Sequence, residues 1–263
     1  DLDFSDGNRF SLIGNPFPAY INVTGFINSN SSNFHANNGA VYGWDGSNYT
    51  TYNLASGGFI APGQGFFVGT VGPDTTVSQI SIPTSIISAT ANWADDFISG
   101  DVMNDDRAEL FINLSQNDLQ SRTRFYFLNN TTDGLDPFYD ASIIGFNNTN
   151  SIIYSRLVQD DNGYDMDIQS LAYSEMWDKV IPLGINALGG EEITISISHR
   201  TTPADLNIYL EDTEEGTMTN LLESDFVYTP TSDLEGVGRF FIHMSADTMS
   251  NEEVSTSMLN AYK

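Results

Sequence analysis

The sequence predicts an all-β protein, an antiparallel β-sandwich of jelly-roll or immunoglobulin-like type, built as one large sandwich or as two closely packed ones. Three observations carry this. Short segments rich in β-branched and aromatic residues recur along the 263 residues, clusters of Gly, Asn, Asp and Pro separate them, and no long segment has convincing helical periodicity.

In chain order the candidate strands are RFSLIG from Arg9, AVYGW from Ala40, GFFVGTV from Gly65, QISIP from Gln79, AELFINL from Ala108, RFYFLN from Arg124, SIIYSRL from Ser151, EITISISH from Glu192, LNIYLED from Leu206 and GRFFIHMS from Gly238. NNTTDG, FNNTN, DDNG and LGGEE supply turn chemistry between them. In EITISISH, Ile193, Ile195 and Ile197 point to one face while Thr194, Ser196 and Ser198 point to the other, as a half-buried strand requires. Leu206, Ile208 and Leu210 alternate in the same way with Asn207 and Tyr209. NLLESDF (Asn220 to Phe226) and the stretch around Phe97 read as ordered loops, each with room for one helical turn. A sandwich module is expected over 1–250, with a sub-boundary near 84–95, and the strand pattern fades over 251–263, which reads as a linker.

Nine Lys and Arg stand against 35 Asp and Glu, a formal net charge of −26. Such a surface repels phosphate backbones and anionic headgroups, so nucleic acid is excluded as an expected partner, and so is the membrane surface. The charged fraction is only 17%, which leaves Asn, Ser and Thr to cover much of the surface and suits an extracellular or cell-surface protein in salt-rich water. With no Cys, thiol nucleophiles, disulfides and thiolate metal sites are ruled out. No apolar run approaches the roughly 20 residues of a membrane span, so membrane insertion is not expected. The first ten residues lack a basic start and an apolar stretch, which places any signal peptide upstream or already removed.

Two motifs are rigid corners. In GNPFPAYIN, Pro16 and Pro18 fix φ near −65° and hold Asn15 and Phe17 extended. In APGQGFF, Pro62, Gly63 and Gly65 make a tight entry that delivers Phe66 and Phe67 to a sheet.

Taken together, FSLIGNPFPAYIN, VYGWDGSNYTTYN, IAPGQGFFV and LNIYLED through GRFFIHMS occur in an order that resembles a known family. This is the non-catalytic β-sandwich region preceding the C-terminal sorting domain of cargo proteins of the type IX secretion system, found in gliding, polysaccharide-degrading bacteria. The resemblance spans Phe10 to Ser245. It implies export by the type IX secretion machinery, a surface location, and a residue 251–263 lead-in to a sorting domain. It carries over no catalytic residue. Asp-Thr-Thr at 74–76 and Asp-Thr-Met at 247–249 resemble the O-glycan attachment sites of the same bacteria, which marks Thr75 and Thr248.

Two constellations suggest ligands. YGWDGSNYTTYN brings Trp44, Tyr49 and Tyr52 together with Asp45 and Asn48, the aromatic and amide groups that stack on and hydrogen-bond a sugar. Trp44 and Tyr42, two apart, would equally share a core-facing side of a strand. DDNGYDMD concentrates Asp160, Asp161, Asn162, Asp165 and Asp167, an oxygen-rich set of the kind that Ca²⁺ prefers. Its alternative is a plain hairpin turn at Asn162–Gly163. His35, His199 and His243 are scattered and read as structural groups, and no hydrolase, zinc, phosphate-loop or dinucleotide motif is present. The expectation is therefore a non-enzymatic adhesion or carbohydrate-binding module that takes a polysaccharide or surface glycan. A spacer or cargo region ahead of the sorting domain, and an accessory domain of a polysaccharide-degrading enzyme, are its alternatives.

Overall fold

The computed structural model describes residues 10–44, 49–70, 79–89, 107–144 and 151–246. It is all-β, as the sequence predicts. The chain forms two compact units, one drawn from the residues up to Asp105 with Asp136–Gly145, the other from Asp106–Leu135 and from Phe146 on. Part of the boundary region expected at 84–95 lies outside the described residues.

The first unit holds β1 (Phe10–Gly14), β2 (Tyr20–Asn22), helix α1 (Val23–Asn30), β3 (Val41–Trp44), β4 (Tyr49–Tyr52), β5 (Phe59–Ile60), β6 (Gly65–Gly69) and β7 (Ile87–Ser88). The chain then makes β8 (Arg107–Gln116) and β9 (Leu119–Leu128) of the second unit and returns to the first for β10 (Ala141–Ser142). It goes back for β11 (Ser151–Ser155), β12 (Met166–Ala172), β13 (Lys179–Ala187), β14 (Ile193–Arg200), β15 (Asn207–Asp212), β16 (Thr217–Asn220), β17 (Phe226–Tyr228) and β18 (Val237–Ser245).

In the first unit an antiparallel sheet of order β1-β6-β3-β4 and a smaller one of order β5-β2-β7 enclose Ile21, Phe26, Ile27, Ile60, Phe66 and Val68. Helix α1 was not expected from the sequence. Val, Thr and Gly give it poor intrinsic propensity, yet Val23, Phe26, Ile27 and Asn30 are its buried residues, at the i, i+3, i+4, i+7 spacing of one helix face. The Asn22 side chain caps it by accepting from Gly25 N–H at 2.8 Å. A Cβ at Gly25 would lie 2.5 Å from Ile86 Cγ2, so only glycine admits this close packing.

The two rigid corners turn out to be halves of one joint. Asn15 is buried, and its Nδ2 donates to the carbonyls of Ala19 at 2.8 Å, Ile60 at 3.2 Å and Ala61 at 2.9 Å. Its Oδ1 accepts from Phe17 N–H at 3.0 Å, while its backbone pairs with Gln64 and Gly63. One amide side chain thus fastens GNPFP to IAPGQG, and the prolines hold both loops in the shape that lets it do so.

In the second unit one long sheet runs β16-β15-β18-β13-β11-β12-β9-β8-β14-β17. It starts from a tight hairpin, Gln116 opposite Leu119, with Asn117 in the left-handed region at φ 53°. Neighbours are antiparallel except β9 and β12, which run parallel. Between β11 and β12 only Ser155 and Met166 pair, so the sheet splays there. The expected alternations hold in part: Ile193, Ile195, Leu206, Ile208 and Leu210 are all buried in one core, while Tyr209 and Glu211, on the opposite side of β15, are buried outside that core.

The sheet curls into a nearly closed barrel. Phe226, on the β17 end, packs on Phe240 of β18 near the other end, with ring centroids 5.9 Å apart. Beside them Arg239 donates through Nε and Nη2 to the two carboxylate oxygens of Asp212, at 2.8 and 2.7 Å, and its guanidinium lies 4.6 Å from the Tyr228 ring. Hydrogen bonding to Asp212 holds the Arg239 pKa above its ordinary value.

Two stability predictions follow from these joints. Asn15→Ala strands buried carbonyls at two loops and is expected to cost about 3 kcal/mol, read as faster amide exchange in β1 and β6 with the second unit unchanged. Asp212→Ala removes the buried fork partner and leaves Arg239 only the exposed carboxylates of Glu214 and Glu215, and is expected to cost about 2–3 kcal/mol, read by chemical denaturation as a lower transition midpoint.

Candidate functional site

The β1-β6-β3-β4 sheet has two faces, and strand parity decides which residue serves which. Paired residues share a face, and Leu12 opposes Phe67, Phe67 opposes Tyr42, and Trp44 opposes Tyr49. Leu12, Phe67, Tyr42, Trp44 and Tyr49 therefore lie on one side, while Val41, Phe66, Val68 and Tyr52 face the unit's core.

Along the outer face exposure is graded. Tyr42 is fully buried, its ring 5.2 Å from that of Phe10, and its hydroxyl donates to the Ser142 carbonyl at 3.0 Å. Trp44, two residues on, is 48% exposed, and Leu12 is 62% exposed. Tyr49 and Phe67 are half-buried. The Trp44 and Tyr49 centroids are 5.0 Å apart with planes at 59°, and those of Tyr49 and Phe67 are 5.9 Å apart at 72°. Trp44 packs tilted on Tyr49, and Tyr49 packs edge to face on Phe67, so Tyr49 and Phe67 act as a buttress behind an open Trp44.

This corrects the sequence reading at two points. The core alternative holds for Tyr42 and not for Trp44, because β3 ends at Trp44 and the cover over Tyr42 does not reach it. Tyr52 does not join the candidate sugar site: three residues beyond Tyr49 on β4, it has the opposite parity and packs on the core. Asp45 and Asn48 lie outside the described residues, as do Thr75 and Thr248. Leu12 and Phe67 were missed. Alternation in FSLIG and GFFVG contains the signal, but only the register places the two beside Trp44.

The acidic loop is organised around arginines. Arg156 reaches Asp165 at 3.0 Å and Asp161 at 3.5 Å, and Arg124 holds Asp167 at 2.8 Å. Asp161 Oδ1 also accepts from Gly163 N–H and Asn162 Oδ1 from Tyr164 N–H, and Asp160 is exposed with φ 52°. Among the described residues no three His, Asp or Glu converge on one point that a metal ion would occupy. Of the set Asp160, Asp161, Asn162, Asp165 and Asp167, the structure thus places Asp161 and Asp165 on Arg156 and Asp167 on Arg124, while Asn162 makes a turn bond and Asp160 is exposed. β11 and β12 are antiparallel neighbours that pair at Ser155 and Met166, so a long loop rather than a tight turn at Asn162–Gly163 joins them, and β12 pairs parallel with β9 over Ile168–Ala172.

The histidines have structural partners. His243 Nε2 sits 2.8 Å from buried Glu211, His199 Nε2 lies 3.1 Å from Glu109, and His35 Nδ1 accepts from Asn37 N–H.

The family model of the Domain of unknown function (DUF8693) matches residues 32–244. The chain belongs to the DUF8693 family. No curated protein and no solved structure matches it. The DUF8693 match takes in Trp44, Tyr49 and Phe67 and also the curled sheet as far as Met244 of β18, whereas Leu12 and Asn15 precede it.

The arginine clamp gives a pH test. Burial pushes the Asp165 carboxyl above its ordinary pKa, against the pull of Arg156. A carboxyl whose folded pKa is raised binds its proton more tightly when folded, so its contribution to stability grows as pH falls and is lost as pH rises through the folded pKa. The unfolding free energy of the wild type is expected to gain on that of Asp165→Asn as pH is lowered through the carboxylate range, measured by denaturant titration at stepped pH.

Proposed function

We propose that this protein is an extracellular, non-enzymatic surface module that binds carbohydrate, with Trp44 as the stacking ring, and that it is exported by the type IX secretion route. The observation that carries the binding reading is a half-exposed tryptophan at a strand end, buttressed by Tyr49 on the solvent side of a rigid sheet. A stacking site needs a flat apolar face that stays in place, and the tilted contact with Tyr49 supports the indole while leaving it half-exposed. The export reading rests on the order of the GNPFP, APGQGFF and LED…GRFFIH motifs.

Two features narrow the ligand. The ring planes diverge by 59° and 72°, which favours one sugar of a soluble chain over the flat surface of a crystalline polysaccharide. With a net charge of −26, long-range repulsion favours neutral glycans over densely sulfated or uronate-rich polymers.

A soluble-glycan array and affinity electrophoresis of the full chain test this. Trp44→Ala is expected to weaken binding roughly 30-fold, the effect of removing about 2 kcal/mol at a central aromatic contact. Its thermal midpoint should stay near that of the wild type, because the side chain is exposed. Retention of no neutral glycan by the wild type would overturn the reading in favour of a spacer.

A further inference from the structure

We propose that Arg200 is a binding site for a small carboxylate, at the rim of the curled sheet and separate from the Trp44 face. The starting point is charge. In a chain with 35 acidic and nine basic residues, every cation should find a carboxylate, and most do. Arg107 pairs with Glu109, Arg124 with Asp167, Arg156 with Asp161 and Asp165, Lys179 with Asp133, and Arg239 with Asp212. Arg122 donates to Asn113 and lies over the Phe111 ring. Among the described residues, Arg200 is the cation with neither an ion pair nor a side-chain hydrogen bond.

Its position explains how it is held. Arg200 ends β14 opposite Leu110, a fully buried core residue, so its stem starts on the core side of the sheet. The next residue is pinned twice to β8: Thr201 N–H donates to the Glu109 carbonyl at 2.9 Å, and Thr201 Oγ1 accepts from Glu109 N–H at 2.9 Å. At the tip, Nη1 is shut in without a partner while the residue as a whole is only half-buried. Of the guanidinium nitrogens, Nη1 alone is fully buried without a partner; Nε and Nη2, on the other edge, are not.

That edge is the one that matters. Two parallel N–H groups on Nε and Nη2 match the two oxygens of a carboxylate, and Arg239 in this same protein uses them to grip Asp212. Arg200 offers the same fork from an anchored side chain, so little rotamer freedom is lost when a carboxylate docks. A lysine there would supply a point charge without the fork.

Isothermal titration of the full chain with sodium D-glucuronate tests this, with D-glucose as the uncharged control and sodium sulfate as a tetrahedral anion. The wild type is expected to bind glucuronate saturably, to ignore glucose at this site, and to bind sulfate more weakly. Affinity for glucuronate should fall at least tenfold in Arg200→Lys and vanish in Arg200→Met. Absence of saturable binding in the wild type, equal affinity in Arg200→Met, or full affinity in Arg200→Lys would each overturn the assignment. So would sulfate binding as tightly as glucuronate, which marks an unselective anion contact. Should Arg200→Met fail to fold, Arg200→Lys decides, because it keeps the charge and removes the fork. Trp44→Ala should leave this affinity unchanged, so the result is independent of the neutral-glycan reading.

Discussion

Arg239 is the residue on which the curl of the long sheet turns. A sheet of this length has two ends, and unless they meet, a row of apolar side chains stays open to water. From β18, Arg239 reaches both sides of the closing seam. Its fork holds Asp212 at the end of β15, and its face lies against Tyr228 on β17, with Phe226 and Phe240 packed alongside. Asp212 in turn accepts from the N–H groups of Glu214 and Glu215 and so shapes the turn into β16. LED, FVY and GRFFIH, separated in sequence, are parts of one assembly.

The first unit solves the same problem with neutral groups. Asn15, Asn30 and Asn53 are buried, and each side chain bonds to backbone far along the chain: Asn15 to Ile60 and Ala61, Asn30 to Ser81, Asn53 to Tyr139. An amide both donates and accepts, so one side chain can satisfy loop groups of either kind. A low charged fraction with much Asn reads as neutral surface cover, and some of that Asn is interior stitching. Short strands and loops with few apolar residues need it, since buried backbone groups without partners are costly.

Both proposed sites depend on rigidity of this sort. Trp44 is held by rings on paired strands rather than by a loop of its own, and the buried Tyr42 two residues before it ties β3 down through Ser142. Arg200 is held by its enclosed Nη1 and by the double bond pair at Thr201. In each case one part of a side chain is fixed by the fold and another faces water. The acidic loop at 160–167 is the contrary case: three of its carboxylates, those of Asp161, Asp165 and Asp167, are engaged by Arg156 and Arg124.

The all-β class was legible in the sequence, because period-two alternation and turn residues act locally, as in Ile193 and Ile195 or at Asn117. The rigid corners at Pro16, Pro18 and Pro62 were legible for the same reason. Sequence could not pair them, because Asn15 bridges loops some 45 residues apart, nor could it foresee α1, whose weak propensity is overridden by burial of Val23, Phe26 and Ile27. It grouped Tyr49 with Tyr52 and five oxygen ligands with one another by proximity along the chain. Strand parity separated the first pair, and Arg156 and Arg124 took Asp161, Asp165 and Asp167 from the second set, since which face a side chain serves and which charge it meets depend on partners that only the fold brings near.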